Sequence, residues 1–181
     1  MGARAALNYV CAYPDSCDAL ILIGANPGIE AADDRRERRE ADEALAKRIE
    51  SEGIQEFLNY WEETPLIRSQ RGMDPIWRSQ MIANRLQHRA EGLAVSLRQF
   101  GQGSCPNLWP ELLKLQLPIL LITGSEDDKY TEIAQRMRDA LPVVKHQIIQ
   151  DASHAPHFEQ PHATAAVIDD FINYSTGTLP V

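Results

Sequence analysis

The stretch that decides the fold is residues 153–161, Ser153-His154-Ala155-Pro156-His157-Phe158-Glu159-Gln160-Pro161, together with Gly124-Ser125-Glu126-Asp127 upstream. An acid follows one short apolar run in this part of the chain, and a histidine follows the next. Because functional groups of open parallel sheets lie just past the carboxyl ends of the strands, we expect Asp127 and His154 to converge. A carboxylate can fix the tautomer of an imidazole, and the imidazole can then move a proton. The pair is therefore the leading candidate for a catalytic site.

Apolar runs and helical patterns alternate around these two residues. The predicted strands are residues 19–23, 119–123 and 145–149, and the predicted helices are residues 1–13, 130–141 and 162–173. Continuous apolar runs are typical of strands that are covered on both faces, as in parallel sheets. The alternation therefore predicts an α/β fold, in which residues 1–26 and 111–175 form a core of parallel strands with flanking helices.

Residues 27–110 have a different character. They contain a dense charge run, Asp33-Asp34-Arg35-Arg36-Glu37-Arg38-Arg39-Glu40, in which opposite charges recur at helical spacing. Apolar residues at helical spacing follow this run, and Asp74-Pro75 is a good helix start. This stretch is predicted to be an all-helical insertion of three or four helices that forms a cap. Residues 176–181 are predicted to be a loose tail.

The composition excludes several classes of partner. The chain has 181 residues, enough for one domain with a real core, and its formal charge is -8. That charge argues against nucleic acid or an anionic membrane as a general partner, whereas an anionic small substrate can still bind in a basic pocket. Cys11, Cys17 and Cys105 show no pairing pattern, which predicts no disulfide framework and favours a cytoplasmic protein. No apolar run reaches membrane-spanning length.

The acid–histidine pair has alternatives at the level of sequence. Asp127 could be a solvated loop acid, and His154 could cap a loop while His157 or His162 takes its place. A metal site formed by His154, His157 and Asp127 is the weaker rival, because the chain lacks the His-Glu-x-x-His helix pattern. No metal is expected.

The serine of a Ser-His-Asp triad would precede the acid, in the chain order Ser, Asp, His that α/β-hydrolases use. The chain contains no Gly-x-Ser-x-Gly. Met1-Gly2-Ala3-Arg4 instead resembles the residues that come after the serine of such an elbow, with Met1 as its fourth position and Gly2 as its fifth. We therefore expect the serine immediately before Met1, and the chain to be the C-terminal part of an α/β-hydrolase fold from a truncated gene, a mis-called start or a degraded copy.

Several motifs between residue 1 and about residue 171 occur together in one family. They are Gly24-Ala25-Asn26-Pro27-Gly28-Ile29, Glu37-Arg38, Trp61 with Pro65, Gly124-x-x-Asp127-x-Lys129-Tyr130 and Ser153-His154-x-x-His157-x-Glu159-x-Pro161. The last two motifs are shared by many α/β-hydrolases. The Asn26-Pro27-Gly28 turn with the following arginine-rich helix narrows the resemblance from that superfamily to one family. The chain resembles the MenH family, 2-succinyl-6-hydroxy-2,4-cyclohexadiene-1-carboxylate synthase of menaquinone and phylloquinone biosynthesis.

The resemblance implies a cofactor-free elimination of pyruvate from a small polycarboxylate, in which the histidine-activated serine acts as a base. Arg4, Arg38 and Arg85 match arginines expected to bind the carboxylates, and Trp61 matches an aromatic residue that lines the cap. Met1 takes the position whose backbone N–H would stabilise an oxyanion. Guanidinium groups fit this role because they pair bidentately with carboxylates and stay charged when desolvated.

Each of these residues has a structural alternative. Arg38 could be a solvent residue among other arginines, Arg85 could be a surface cation, and Trp61 could simply pack. Two other functions also fit the chain. One is an α/β-hydrolase acting on an ester, thioester or carbon–carbon bond, and the other is a non-catalytic fragment that binds a partner or a carboxylate ligand.

The missing serine leads to two expectations for residues 1–181 expressed alone. We expect no pyruvate release, because the base would be absent. We also expect self-association, because the strand at residues 19–23 would be an exposed apolar edge.

Overall fold

A computed structural model describes residues 1–175 of the protein, apart from the side chain of Leu66. The predicted tail, residues 176–181, lies outside the described residues. The helices are α1 Gly2–Ala12, α2 Ala32–Glu62, α3 Pro65–Arg68, α4 Pro75–Leu86, α5 Ala90–Phe100, α6 Asp128–Ala140, α7 Pro156–Glu159 and α8 Pro161–Ser175. The strands are β1 Leu20–Ile23, β2 Ile119–Gly124 and β3 Val144–Ile149. Short 3-10 helices lie at Pro14–Ser16, Ser69–Gly72 and Trp109–Lys114.

Contacts between residues divide the chain into two compact units. Among the described residues, the core unit consists of Gly2–Pro27 and residues 108–175, and the helical unit consists of Met1 and Gly28–Asn107. All three strands belong to the core unit, and α2 to α5 belong to the helical unit. The predicted bounds of core and cap, and the role of the helices as a cap, stay predictions.

The core unit is built on a parallel sheet in the order β1-β2-β3. Leu20 of β1 is in register with Ile119 of β2, and Ile119 is in register with Val144 of β3. All six residues of the central strand β2 are buried. A strand with neighbours on both sides and helices on both faces has no solvent side, which explains why its sequence is apolar at nearly every position.

Apolar side chains cover both faces of this sheet. One cluster contains Leu7 and Val10 of α1 with Ile119, Leu121 and Met137. The other is a smaller group on the opposite face, formed by Leu120, Ile122, Ile149, Ala152 and Phe171. Because side chains alternate along β2, the strand contributes residues to two separate apolar layers, one on each face of the sheet. The predicted architecture of parallel strands with flanking helices is present.

Helix α2 organises the helical unit. Gly53 interrupts it with φ 85 and ψ 174, a conformation that glycine adopts at low cost because it lacks a Cβ. Helix α5 packs along α2, and Arg98 of α5 forms ion pairs with Glu43 at 2.7 Å and Glu50 at 2.6 Å. Some charges on α2 therefore hold two helices of the unit together.

The predicted elements match the observed ones to within about two residues, with two differences. The apolar spacing before Gly53 and after it predicts two separate helical faces, and these faces belong to the two parts of α2 on either side of Gly53. The apolar spacing in residues 162–173 predicts that Phe171 and Ile172 lie on the inner face of α8, but Ile172 is 44% exposed. The buried residues of α8 are Thr164 and Phe171, and this narrower face leaves Ile172 outside.

None of the helices in residues 1–175 has the length and apolar content that a bilayer crossing requires. Cys11, Cys17 and Cys105 are all free thiols.

Candidate active site

Asp127 and His154 meet in the core unit. Nδ1 of His154 lies 2.8 Å from Oδ2 of Asp127. The Asp127 side chain is 5% exposed, and that of His154 is 24% exposed. An ionised carboxylate can only accept, so Nδ1 carries the hydrogen of this contact in the neutral ring. Nε2 then keeps a lone pair for accepting a proton.

Asp127 is held in place by the start of α6. It is the N-cap residue of that helix, and its Oδ1 accepts a hydrogen bond from the Tyr130 backbone N–H at 3.3 Å. Each carboxylate oxygen therefore has its own partner, one in the helix and one in the imidazole. The Tyr130 ring also contacts the His154 ring, with 4.4 Å between the centroids. These contacts restrict both partners of the pair.

The loop that carries His154 is held by Glu159. Its Oε2 accepts hydrogen bonds from the backbone N–H groups of Ser153 at 2.8 Å and Ala155 at 3.3 Å. These two groups flank His154 in sequence. Glu159 belongs to the motif of residues 153–161, but a glutamate near a histidine in sequence does not by itself indicate which backbone groups it will bind.

Two glycines allow the close approach of strand and loop. Gly24 at the end of β1 has φ 58, and a Cβ built there would lie 2.9 Å from Cε1 of His154. A Cβ at Gly124 would overlap the carbonyl oxygens of Ala152 and Ser153. In the sequence, Gly124 at the end of an apolar run indicates a tight turn, but no pattern along the chain signals the contact between Gly24 and the imidazole.

Replacing Glu159 with alanine is expected to lower the free energy of unfolding by about 1–3 kcal/mol, because two partly buried N–H groups lose their acceptor. Amide hydrogen exchange at Ser153 and Ala155 should accelerate, and urea unfolding measures the stability. Glu132→Ala, at an exposed position of α6, is the control, with an expected change within about 0.5 kcal/mol. Equal stability of the two variants would contradict the role assigned to Glu159.

A cavity of about 330 Å³ lies within the helical unit. It is lined by Met1, Arg38, Trp61 and Arg85, four of the residues that the resemblance singled out. Its other walls are mainly apolar, formed by leucines with Ile49 and Phe57, and His88 adds a fourth nitrogen-bearing side chain beside the two arginines and Trp61. An apolar cavity with a few cationic groups is typical of a site for a small organic anion.

The two arginines of this cavity have different surroundings. Nε of Arg38 donates to Oδ1 of Asp42 at 2.8 Å, and the Asp42 side chain is only 3% exposed. Arg85 lies over the Trp61 ring, with its Cζ 4.6 Å from the ring centroid. Burial lowers the pKa of the Arg85 guanidinium from its ordinary value, and the charge of Glu62 opposes that shift. Sequence reasoning missed Asp42, although its position four residues after Arg38 is the spacing of helical ion pairs.

Arg4 and Met1 lie in different units. Arg4 is on α1 in the core unit, and its Nη1 is buried without a hydrogen-bond partner among the described residues. The Met1 side chain is exposed, and its sulfur lies 3.4 Å from Oγ of Ser96. The proposed oxyanion role of its backbone N–H stays a prediction.

The rival residues have other environments. His157 and His162 are exposed, and Asp127 is buried rather than solvated. In the part of the chain that the structure describes, no three His, Cys, Asp or Glu side chains are grouped so that they could hold a metal ion.

A parallel sheet with an acid and a histidine meeting after two neighbouring strands defines the class of protein. The model of the Alpha/beta hydrolase family matches residues 1–167, and the chain belongs to this family. The predicted fold class is thereby confirmed.

Within the family, the chain is similar to several proteins that bear the same name. It is 36% identical over 172 residues to a Bacillus subtilis (strain 168) protein provisionally named 2-succinyl-6-hydroxy-2,4-cyclohexadiene-1-carboxylate synthase, covering 95% of this chain and 63% of that protein. The synthase of Photorhabdus laumondii is 31% identical over 175 residues, and the match covers 96% of this chain and 60% of that protein. The structure of MenH from S. aureus superposes with a TM-score of 0.93 at 33% sequence identity, and the match covers 96% of this chain and 65% of that one. The predicted resemblance to MenH is confirmed, and the chain spans 60% to 65% of the length of these relatives.

Proposed function

We propose that this chain carries the acid–histidine pair and the carboxylate-binding pocket of an enzyme that eliminates pyruvate to form 2-succinyl-6-hydroxy-2,4-cyclohexadiene-1-carboxylate. The observation that carries the proposal is the 2.8 Å contact between His154 Nδ1 and Asp127 Oδ2. Relatives that bear the name of this synthase support it. The proposed reaction needs no cofactor, because proton transfer and carbon–oxygen cleavage can use side-chain bases and hydrogen-bond donors.

In the proposed reaction a base removes a proton from carbon, and the electron pair forms a new double bond. A carbon–oxygen bond breaks, and pyruvate leaves as its enolate, which takes the proton held by the His154 imidazolium and so restores the neutral histidine. The base is a serine hydroxyl whose own proton passes to Nε2 of His154, while Asp127 stabilises the resulting imidazolium. We expect this serine one residue ahead of Met1, and the Met1 N–H to bind the developing oxyanion.

The substrate class in this proposal is a small polycarboxylate. Arg38 and Arg85 line the cavity of the helical unit. Arg4 and Arg85 each have a buried Nη1 without a hydrogen-bond partner among the described residues. A buried donor that stays unpaired costs free energy, and a bound carboxylate would remove that cost. We place the reaction in the cytoplasm, where the three free thiols would remain reduced.

The test joins the chain, ahead of Met1, to the N-terminal segment of a MenH-named relative that ends in its Gly-x-Ser. Pyruvate release from the enolpyruvyl substrate is followed by coupling to lactate dehydrogenase and NADH. We expect turnover by the joined protein and none by residues 1–181 alone, because only the joined protein holds the base. Matched controls are the joined protein with His154→Ala and with the serine of the segment changed to alanine.

Three results would change this proposal. Pyruvate release by residues 1–181 alone would keep the reaction and overturn the assignment of the base to a preceding serine. A folded joined protein that is inactive here but hydrolyses esters, with a trapped acyl intermediate, would favour the hydrolase alternative. A folded joined protein inactive in both assays would favour the non-catalytic alternative.

A further inference from the structure

Gln70 is a buried polar residue to which the proposed reaction gives no role. It lies in the 3-10 helix Ser69–Gly72 and is 4% exposed. Its side-chain Oε1 accepts a hydrogen bond from Nη2 of Arg85 at 2.8 Å. A buried amide oxygen needs a donor, and Arg85 supplies it, so the two side chains fix each other.

The partners of Arg85 are neutral, unlike the partner of Arg38. Arg38 is paired with the buried carboxylate of Asp42 at 2.8 Å, which offsets most of its charge. Arg85 instead contacts the Gln70 amide and the Trp61 ring face. Glu62 is the acid whose charge acts on Arg85, but its Oε2 is already paired with Nη2 of Arg78 at 3.2 Å.

A neutral partner for Arg85 is not the choice that would give the protein the greatest stability. A half-buried guanidinium is better stabilised by a carboxylate than by an amide, because charge-assisted hydrogen bonds are stronger than neutral ones. Nη1 of Arg85 is also buried with no hydrogen-bond partner in the described part of the chain. The cation is therefore held in position with its charge left for another anion, and Arg85 lines the 330 Å³ cavity.

We infer that Gln70 is a positioning residue, whose amide oxygen orients the Arg85 guanidinium without neutralising it, so that Arg85 is the main anchor for a ligand carboxylate in this cavity. This inference rests on the proposed function, in which the ligand is a carboxylate. Arg38 then contributes less, since Asp42 already offsets its charge. The amide at position 70 is the important feature. Glutamate has the same length, but its carboxylate would form an ion pair with Arg85 and neutralise the guanidinium.

The test measures binding of an aromatic carboxylate, 2-naphthoate, and its neutral amide, 2-naphthamide, to residues 1–181 by isothermal titration calorimetry. The variants are Gln70→Glu, Gln70→Met and Arg85→Met, and each is also melted thermally. We expect Gln70→Glu to weaken 2-naphthoate binding by about tenfold or more, close to Arg85→Met, with an unchanged or higher melting temperature. Gln70→Met should weaken it by a few-fold, and 2-naphthamide binding should stay within about twofold throughout.

A merely structural role of Gln70 predicts a different result. Gln70→Glu would then bind 2-naphthoate like the parent chain, which would overturn the inference while leaving the proposed function in place. If Gln70→Glu does not fold, equal weakening of both probes in Gln70→Met overturns it. Unchanged 2-naphthoate binding in Arg85→Met, or none by the parent chain, removes the carboxylate anchor and the inference with it. The pyruvate assay still decides the reaction independently.

Discussion

Asp127→Asn is expected to lower pyruvate release by the N-terminally joined protein by about 10⁴-fold. The carboxylate accepts from Nδ1 of His154 at 2.8 Å, which leaves Nε2 free to take a proton. An amide at position 127 can turn its NH₂ toward Nδ1 and so favour the tautomer with hydrogen on Nε2. That tautomer cannot accept the serine proton, and the imidazolium loses its stabilising charge.

The substitution should leave the fold intact, since asparagine is as good an N-cap as aspartate for α6. Nitrogen-15 NMR of residues 1–181 can read the tautomer of His154 directly, without any activity. Asp128→Asn is the matched control, because Asp128 is exposed in the first turn of α6 and has the same charge. Activity within tenfold of the parent after Asp127→Asn would remove the pair from the proposed mechanism.

Gly124→Ala is expected to lower the free energy of unfolding by about 3 kcal/mol, at the high end of overpacking effects. The added Cβ would overlap the backbone oxygens of both Ala152 and Ser153, and backbone cannot rotate away as a side chain can. Relief requires the loop to move from the end of β2, and His154 moves with it. Urea unfolding measures the loss, and the His154 NMR signals report the displaced ring.

Gly92→Ala provides the control for glycine replacement. Gly92 lies inside α5 with no atom within 4 Å of its built Cβ. Alanine is the better helix former, so this change should raise stability by about 0.5–1 kcal/mol. If Gly124→Ala also left stability unchanged or raised it, the close approach of loop and strand would not be a constraint on the protein.

The fold was predictable because local pattern and global architecture agree. Strand β2 is apolar at nearly every position, and a run of this length can be buried on both faces only inside a sheet with helices on each side. The order of an acid and then a histidine after two such strands also predicted that Asp127 and His154 meet, since parallel strands end at the same edge. Chain order and hydrophobic period carry this information by themselves.

The supports of the pair were not predictable in the same way. Gly24 against the imidazole and Glu159 against two backbone N–H groups are contacts between segments, and neither produces a pattern along the chain. The charge run at the start of α2 does form a pattern along the chain, but that pattern does not distinguish one arginine from another. Arg38 and its arginine neighbours have the same local sequence character, and only packing shows that Arg38 lines a cavity beside buried Asp42.

Hydrophobic period and residue order along the chain specify the α/β class, the strands and the acid–histidine pair, because these depend on which residues follow which element. Tertiary packing decides which partners each arginine has and how far its charge is neutralised. Whether Arg85 faces an amide or a carboxylate, and whether Nη1 finds a partner, depends on distances between residues far apart in sequence. Electrostatic energy changes steeply with those distances and with burial, so charge in the cavity is set only when the chain has folded.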